Sequence, residues 1–218
     1  ARTFSIYNNT SSSAEVSFAT KVDFATGGNA ARVSIGDIDG DGKIDVIITN
    51  NSNFIQVYRN TSAEGALSFA TSQTFTTGSM AYTIAVGDID MDGKLDLSVS
   101  NYQSSSVSVL MNISSPGNIS FTTKFDLITG TNPLYSVISD VDGDGLSDIL
   151  VVRSNKLQIF RNTSSGGTLS FATSVDKVVN GYALNIALGD LAGDGKQDIV
   201  VSPQNRNTQL FVNKSTSG

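Results

Sequence analysis

Aspartate is concentrated in four short loops whose spacing suits a metal ion. The first, from Gly36 to Asp45, reads GDIDGDGKID and carries carboxylates at positions one, three, five and nine, counted from Asp37. Carboxylates this close repel one another in a partly desolvated site, and a divalent cation bound between them removes that repulsion. The pattern returns at 87–96, 139–148 and 189–198.

Calcium is the ion that this loop chemistry favours. Ca²⁺ accepts six to eight oxygens in flexible geometry, whereas Mg²⁺ takes fewer carboxylates and keeps more water. By analogy with other loops of this type, position seven adds a backbone carbonyl; these positions are Lys43, Lys94, Leu146 and Lys196, with the lysine side chains directed to solvent. We predict three full sites and a fourth that binds more weakly or holds no ion, because Ala192 replaces the third-position carboxylate of the last loop.

An EF-hand and a plain hairpin turn are the alternatives for these loops. Position twelve of the first loop is Ile48, where an EF-hand requires a bidentate glutamate, and the flanking segments have the pattern of strands. Aspartate and glycine also favour tight turns without any metal. Four copies with the same spacing favour the metal site. Such ions would be structural and would couple metal binding to folding.

The loops belong to a repeat of about 51 residues. Asp37, Asp88, Asp140 and Asp190 are separated by 51, 52 and 50 residues. Two further markers keep this spacing: an SFAT-like motif and an Asn-Thr-Ser-like element, the latter at Asn9, Asn60, Asn112, Asn162 and Asn213. A period near 50 is typical of solenoids and propellers. The asparagines form glycosylation sequons, although turn chemistry explains them without a glycan.

Each repeat predicts four strands. An alternating segment leads into the aspartate loop, an apolar β-branched run suited to a strand buried on both faces follows, and two further segments complete the unit. We predict an all-β fold, a β-propeller of four-stranded antiparallel blades forming one domain over 1–218. The repeats are 28–78, 79–130, 131–180 and 181–218. The last is completed by 1–27, through the N-terminal strand KVDFATG, or by a second chain.

The segment DIDGDGKIDVIITN, followed by IQVYRNTS, resembles the FG-GAP/VCBS repeats. These repeats build the propellers of integrin α-chains, certain fungal lectins, and many secreted bacterial proteins and lyase scaffolds. The resemblance implies a Ca²⁺-stabilised propeller, although members usually have about seven blades and this chain has four repeats. Carried over residue by residue, the ligands are Asp37, Asp39, Asp41, Asp45, Asp88, Asp90, Asp92, Asp96, Asp140, Asp142, Asp144, Asp148, Asp190, Asp194 and Asp198.

A second group of residues predicts a ligand-binding face. If the blades are standard, the turns between second and third strands and the inter-blade loops lie opposite the aspartate loops. Their amides and aromatic rings suit sugars, which offer hydroxyls and an apolar C–H face. The candidates are Asn53, Tyr82, Tyr102, Gln103, Tyr135, Asn155, Tyr182 and Gln204. The alternative is ordinary polar loops in which the tyrosines cap the blade packing.

The composition excludes several kinds of site and makes several classes of function improbable. Fifteen of the twenty acidic residues lie in the four loops, so the net charge of -6 is local, as at cation sites. The absence of cysteine and histidine excludes disulfides, thiolate or imidazole metal sites, and catalysis by a histidine base. No basic cluster or aromatic-rich stripe predicts nucleic-acid binding, and no apolar run approaches the roughly 20 residues of a membrane-spanning helix.

Three functions remain open. We expect a calcium-stabilised extracellular or cell-surface binding module, lectin-like or adhesive, which is not an enzyme. Its partner would be a glycan or a protein, and a homo-oligomer could complete the ring. The alternatives are a scaffold domain of a polysaccharide lyase, which would need tyrosine with lysine or arginine for catalysis, and a purely architectural, self-assembling repeat module.

Overall fold

The computed structural model describes residues 2–215. This part of the chain has seventeen strands and no helix, so it contains no helix that is long and apolar enough to cross a membrane. The strands are β1 Thr3–Ile6, β2 Val22–Ala25, β3 Arg32–Gly36, β4 Asp45–Thr49, β5 Phe54–Tyr58, β6 Gln73–Thr76, β7 Ala81–Gly87, β8 Asp96–Asn101, β9 Ser106–Leu110, β10 Phe125–Ile128, β11 Pro133–Ser139, β12 Asp148–Arg153, β13 Lys156–Phe160, β14 Val175–Val178, β15 Ala183–Gly189, β16 Asp198–Pro203 and β17 Gln209–Phe211.

The strands form five antiparallel sheets that follow one another along the chain. Three of them, β3–β6, β7–β10 and β11–β14, have four strands each, while β15–β17 form a three-stranded sheet and β1 and β2 a two-stranded one. The predicted all-β fold with four-stranded antiparallel blades is therefore confirmed. Within residues 2–215, no strand of the last sheet pairs with a strand of the first.

Neighbouring sheets pack against each other through their first strands. β3 contacts β7, β7 contacts β11, and β11 contacts β15. Hydrogen bonds cross these contacts: the Ser34 hydroxyl donates to the carbonyl of Ile84 at 2.9 Å, and the Thr83 hydroxyl donates to that of Leu134 at 2.8 Å. First strands that lie side by side in chain order are the innermost strands of propeller blades.

The strand that follows each aspartate loop is largely buried, as the apolar runs predict. Every residue of β4 and β8 is buried, and so is every residue of β12 except the last. Ile47 and Ile55 of one sheet pack with Leu97 of the next in a shared core. Fully burying each such side chain contributes about 1.5–3 kcal/mol, so this shared core helps to hold the two sheets together.

Within the described residues, the N-terminal strand pairs with β1 and not with the last sheet, and its completion of the last repeat stays a prediction. β2 pairs with β1 along its whole length, from Thr3 opposite Ala25 to Ile6 opposite Val22. Pairing two strands that are close in sequence closes a much shorter loop than pairing β2 with β17, and a shorter loop loses less chain entropy. The small sheet is held to the next one by Phe4, whose ring meets that of Tyr58 edge-on at 5.0 Å.

Candidate metal centres and candidate ligand face

The aspartate loops are the turns between the first and second strands of four sheets. In the first loop, Gly36 pairs with Asp45 across the base. Gly42 at position six has a φ of +85°, in the left-handed region that glycine adopts without steric cost. This conformation turns its backbone N–H inward, where it donates to Asp37 Oδ2 at 2.9 Å. The turn therefore draws the carboxylates of the loop together.

Three loops bring carboxylate oxygens close enough to hold an ion. In each, one oxygen from each of three aspartates lies within 4.8 Å of the others; the sets are Asp37, Asp39 and Asp41, then Asp88, Asp90 and Asp96, then Asp140, Asp142 and Asp148. Within the described residues, Asp88 Oδ1 is buried without a hydrogen-bond partner. A buried, unpaired carboxylate oxygen is costly, and a cation would satisfy it. The anionic, all-oxygen donor set fits Ca²⁺.

The remaining predicted ligands lie in the same loops but outside these sets. Asp45, Asp92 and Asp144 belong to the first three loops. At position seven, the backbone N–H rather than the carbonyl has an observed partner: it donates to the position-five carboxylate at 2.9–3.2 Å in Lys43, Lys94, Leu146 and Lys196. The ligand role of these carbonyls stays a prediction. The side chains of Lys43 and Lys94 are exposed as expected, whereas Lys196 is partly buried and donates to the carbonyl of Ser215.

The fourth loop has its own hydrogen-bond arrangement. Asp198 Oδ2 accepts from the backbone N–H groups of Leu191 and Ala192 at 2.9 and 3.0 Å. The N–H of Asn213, together with these two, lowers the pKa of Asp198 below its usual range. Its charge is therefore stabilised by the backbone, and Ala192 brings no carboxylate at position three. The weaker fourth site stays a prediction, since Asp190, Asp194 and Asp198 are not among the three sets found in residues 2–215.

The position-nine aspartates connect the loops to the rest of the sheet. All four, Asp45, Asp96, Asp148 and Asp198, are at most 1% exposed. Asp96 accepts from the N–H of Ile89 at 2.8 Å and from that of Asn112 at 2.7 Å. Burial nevertheless raises the pKa of Asp96, and likewise that of Asp148, to about 6, and the neighbouring carboxylates add to this effect. A cation bound in the loop would reverse it.

Two arginines that were not among the predicted site residues face the aspartate loops. Arg161 donates to Asp142 and, at 2.9 Å, to Asp144. Arg59 lies within 4.0 Å of two carboxylates of the first loop. Both precede a repeated asparagine, where the second and fourth repeats have Met111 and Val212. The Arg-Asn dipeptide is the signal that could have found them.

The repeated asparagines join each aspartate loop to the loop before it. The side-chain amide of Asn112 donates to the carbonyl of Leu95 in its own loop at 2.9 Å and to that of Ile38 in the preceding loop at 2.8 Å. Its Oδ1 accepts from the N–H of Ser114 at 2.9 Å. Asn162 and Asn213 repeat all three contacts one and two sheets further on. Three asparagines therefore bridge the four loops in sequence.

Asn60 binds its own aspartate loop but does not bridge two loops. Its sheet has no aspartate loop before it, and its amide donates only to the carbonyl of Ile44 in its own loop, at 2.9 Å. Asn112 and Asn162 are 3% and 0% exposed, and both amide hydrogens of each are engaged. In the folded chain these two sequons are therefore structural and closed to glycosylation.

At the opposite end of the sheets, the structure brings the predicted tyrosines together. Tyr82 and Tyr135 line a cavity of about 250 Å³ at the starts of the innermost strands. The rings of Tyr82 and Tyr102 lie 6.1 Å apart. Burial raises the pKa of the Tyr182 hydroxyl, and the nearby hydroxyl of Tyr102 raises it further. Tyrosines from three sheets thus converge on one place.

The predicted amides at this end are more dispersed. Asn53 and Asn155 lie exposed in the β4–β5 and β12–β13 turns. Gln103 accepts from the Ser79 hydroxyl at 3.1 Å, and the backbone N–H of Gln204 donates to the carbonyl of Tyr182 at 2.7 Å. Asn185 and Arg32, which the sequence analysis did not propose, do line the cavity. A bulge in β15 between Ala183 and Asn185 shifts the strand register there, and a sequence pattern does not reveal it.

The model of the FG-GAP-like repeat matches residues 37–99 and 140–201, which is more than half of the chain. The chain belongs to the FG-GAP-like repeat family. Each matched segment of this FG-GAP-like protein begins at the first aspartate of a loop, at Asp37 and at Asp140, so the family model covers loop and strands together. No curated protein matches the chain.

Two solved structures share the fold, and a third is similar at a lower score. A functionally unknown protein from Desulfotomaculum acetoxidans is 20% identical with a TM-score of 0.66, covering 98% of this chain and 62% of that one. BBS1N in complex with ARL6DN is 12% identical with a TM-score of 0.58, covering 92% of this chain and 56% of that one. The rhamnogalacturonan lyase YesW is 17% identical with a TM-score of 0.49, and the match covers 83% of this chain and 42% of that one. The FG-GAP-like chain therefore spans less than two thirds of each.

Proposed function

We propose that this chain is a calcium-stabilised binding module of a secreted or cell-surface protein, that its ligand is a glycan, and that it catalyses no reaction. Repeats of this family commonly bind calcium. The three aspartate sets and the buried, unpaired Asp88 Oδ1 support Ca²⁺ in the first three loops. Each ion would stabilise the turn between two strands, which is a structural role.

The convergence of tyrosines opposite the aspartate loops is the observation that carries the ligand assignment. Tyr82 and Tyr135 line one cavity, and Tyr102 and Tyr182 stand beside Tyr82. Ligand sites are typically concave, with aromatic walls and a few convergent polar groups. Aromatic faces suit the C–H face of a sugar, and the amide of Asn185 in the same cavity suits its hydroxyls.

A glycan array tests the ligand class. The fluorescently labelled chain, in excess Ca²⁺, should bind a subset of glycans, and Tyr135→Ala should remove that binding. Tyr7→Ala is the matched control, because Tyr7 is 58% exposed and lies outside the cavity. Binding that Tyr135→Ala leaves unchanged would refute the site, and an array with no bound glycan would refute the ligand class in favour of a protein ligand.

A lyase assay tests the proposal that the chain catalyses no reaction. Incubation with pectin or alginate should give no rise in absorbance from unsaturated products, because the tyrosine cavity contains no histidine base and its one cation, Arg32, is held by Tyr82. Product formation that disappears in Tyr135→Ala would instead support the lyase scaffold as a functional enzyme domain.

Self-assembly is a second candidate, and exposed apolar side chains favour it. Val33 and Ile35 of β3 are 62% and 63% exposed, and Leu210 of β17 is 52% exposed. β3 is the first strand of the sheet next to β1–β2, and β17 is the last strand of the final sheet. The sheets at the two ends of the series have complementary gaps: β1 and β2 repeat the third and fourth strands, whereas β15–β17 lack a fourth. Light scattering with and without Ca²⁺ would give a dimer mass if copies complete each other, and a monomer mass otherwise.

A further inference from the structure

Charge is separated between the two ends of the molecule. We call the end with the four aspartate loops the aspartate end and the opposite end, with connections 26–31, 50–53, 77–80, 102–105, 129–132, 154–155, 179–182 and 204–208, the tyrosine end. Those connections contain no aspartate or glutamate. Five basic residues lie in them or at the strand ends beside them: Arg2, Arg32, Arg153, Lys156 and Arg206.

Only two of these cations form ion pairs within residues 2–215, and these two share one carboxylate. Arg153 and Lys156 both pair with Asp176, at 2.9 and 2.7 Å. Arg32 forms no ion pair with a carboxylate in the described part of the chain. The tyrosine end therefore has an excess of positive charge, which attracts anions and repels cations.

Arg32 is held in the cavity wall by its neighbours. One guanidinium nitrogen donates to the Tyr82 hydroxyl at 2.8 Å and another to the carbonyl of Ala31 at 2.9 Å. The guanidinium carbon lies 4.6 Å from the centre of the Tyr82 ring, a cation–π distance. A guanidinium has five N–H donors, so three remain for a ligand. A fixed arginine loses less side-chain entropy when it binds.

We propose that the cavity binds an acidic sugar, with the carboxylate of a uronic acid accepting hydrogen bonds from Arg32. This inference rests on the proposed glycan-binding function and names the chemical class of the glycan. Charge-assisted bonds from arginine to a carboxylate are roughly twice as strong as neutral ones, and they are often bidentate. The rings of Tyr82 and Tyr135 and the amide of Asn185 line the same cavity and contact the neutral part of the sugar.

Geometry favours a sugar over an acidic peptide. The cavity is small, about 250 Å³, and lies at the starts of the innermost strands rather than along a sheet edge. A peptide would bind an exposed edge through main-chain hydrogen bonds. A single sugar ring between tyrosines needs only aromatic faces, an amide and one cation, and all three are present here.

Titration calorimetry in excess Ca²⁺ at low ionic strength tests the assignment. The ligands are galacturonate and glucuronate oligosaccharides and their neutral counterparts, galactose and glucose oligosaccharides. The acidic sugars should bind at least tenfold more tightly, and Arg32→Gln should remove that preference. Arg206→Gln is the matched control, since it removes the same charge from the same end outside this cavity, and it should change affinity less than twofold.

The outcomes separate this inference from the proposed function. Equal binding of acidic and neutral sugars, with no effect of Arg32→Gln, overturns the acidic class and leaves glycan binding intact. Binding of no sugar overturns both. Binding of polyglutamate but of no sugar, with loss in Arg32→Gln, assigns the site to an acidic peptide. Circular dichroism and an unchanged melting temperature in Ca²⁺ show that each variant is folded.

Discussion

Within one aspartate loop the carboxylates have different partners, and equivalent aspartates differ between loops. Asp39 is 2% exposed and accepts from the N–H of Gly117, in the hairpin of the neighbouring sheet, at 2.8 Å. The equivalent Asp90 of the second loop is exposed. Loops that are nearly identical in sequence therefore have different surroundings, and we expect different ion affinities among the first three.

Met91 is the residue at which the second loop is most strained. It has a φ of +63°, whereas Gly40, Gly143 and Gly193 occupy the equivalent left-handed positions in the other loops. A residue with a Cβ costs roughly 1–2 kcal/mol in this region. Glycine avoids that cost but loses more conformational entropy on folding, so the net gain from glycine is smaller. Met91→Gly should therefore stabilise the protein by about 1 kcal/mol, measured by urea unfolding in Ca²⁺.

The control for this prediction is the reverse change at an equivalent position. A Cβ added at Gly143 would meet nothing within 4 Å, so Gly143→Ala tests the backbone alone and should destabilise. If Met91→Gly also destabilises, the Met91 side chain contributes contacts that outweigh its backbone strain, and the interpretation of strain at this position is wrong.

At the scale of elements, the repeat predicts where the strands lie better than it predicts which strands pair. Apolar runs such as that of β4 predict buried strands because burial depends on residue type, and the shared period places each loop between the first two strands of a sheet. The pairing of β2 with β1 depends on competition between two partners with equivalent sequences, which a pattern cannot resolve. The Asn112 bridge was missed for a related reason, since its acceptors are backbone carbonyls 17 and 74 residues away.

The asparagine bridges predict unequal effects of the same substitution. Asn112→Ala leaves the carbonyls of Ile38 and Leu95 without their donor in a buried site, and each loss costs about 1–3 kcal/mol. Asn60→Ala removes only one amide-donor bond, to Ile44 at a more exposed position, and this bond should contribute about 1 kcal/mol. Both substitutions also remove an Oδ1 contact with a backbone N–H of the following turn. Thermal melts in Ca²⁺ should therefore show the larger fall for Asn112→Ala, at roughly 2–4 °C per kcal/mol for a chain of this size.

Equal falls in melting temperature in the two variants would mean that each asparagine stabilises only its own turn. In that turn Oδ1 accepts from the N–H of Ser62 for Asn60, or of Ser114 for Asn112. In that case the bridge between neighbouring loops contributes nothing measurable. Calcium titration of Asn112→Ala provides a second measurement, because a broken bridge should weaken the ions on both sides of it.

On the scale of the whole molecule, the two ends have opposite charges. The aspartate end contains most of the acidic residues, and a bound ion in each loop would reduce the repulsion that the fold concentrates there. The asparagine bridges run through the same end and connect consecutive sheets. Calcium should therefore stabilise the series of sheets as a unit.

The pH dependence of this stabilisation follows from Asp96 and Asp148. Their pKa in the folded chain without calcium is about 6, against an ordinary value of 3.8, so between these values the folded chain binds more protons than the unfolded one. Stability without calcium should therefore fall as pH rises from about 4 to about 6.

Calcium needs the deprotonated carboxylates, so its own contribution should grow over the same range. The difference in melting temperature between Ca²⁺ and EDTA should be small at pH 5 and large, by many degrees, at pH 7.5. Matched melts in Mg²⁺ should show less stabilisation, because the loops offer more carboxylates than that ion prefers. An equal calcium effect at both pH values would show that Asp96 and Asp148 are not coupled to the ions. An unchanged melting temperature in EDTA at pH 7.5 would show that a bound metal does not stabilise this fold.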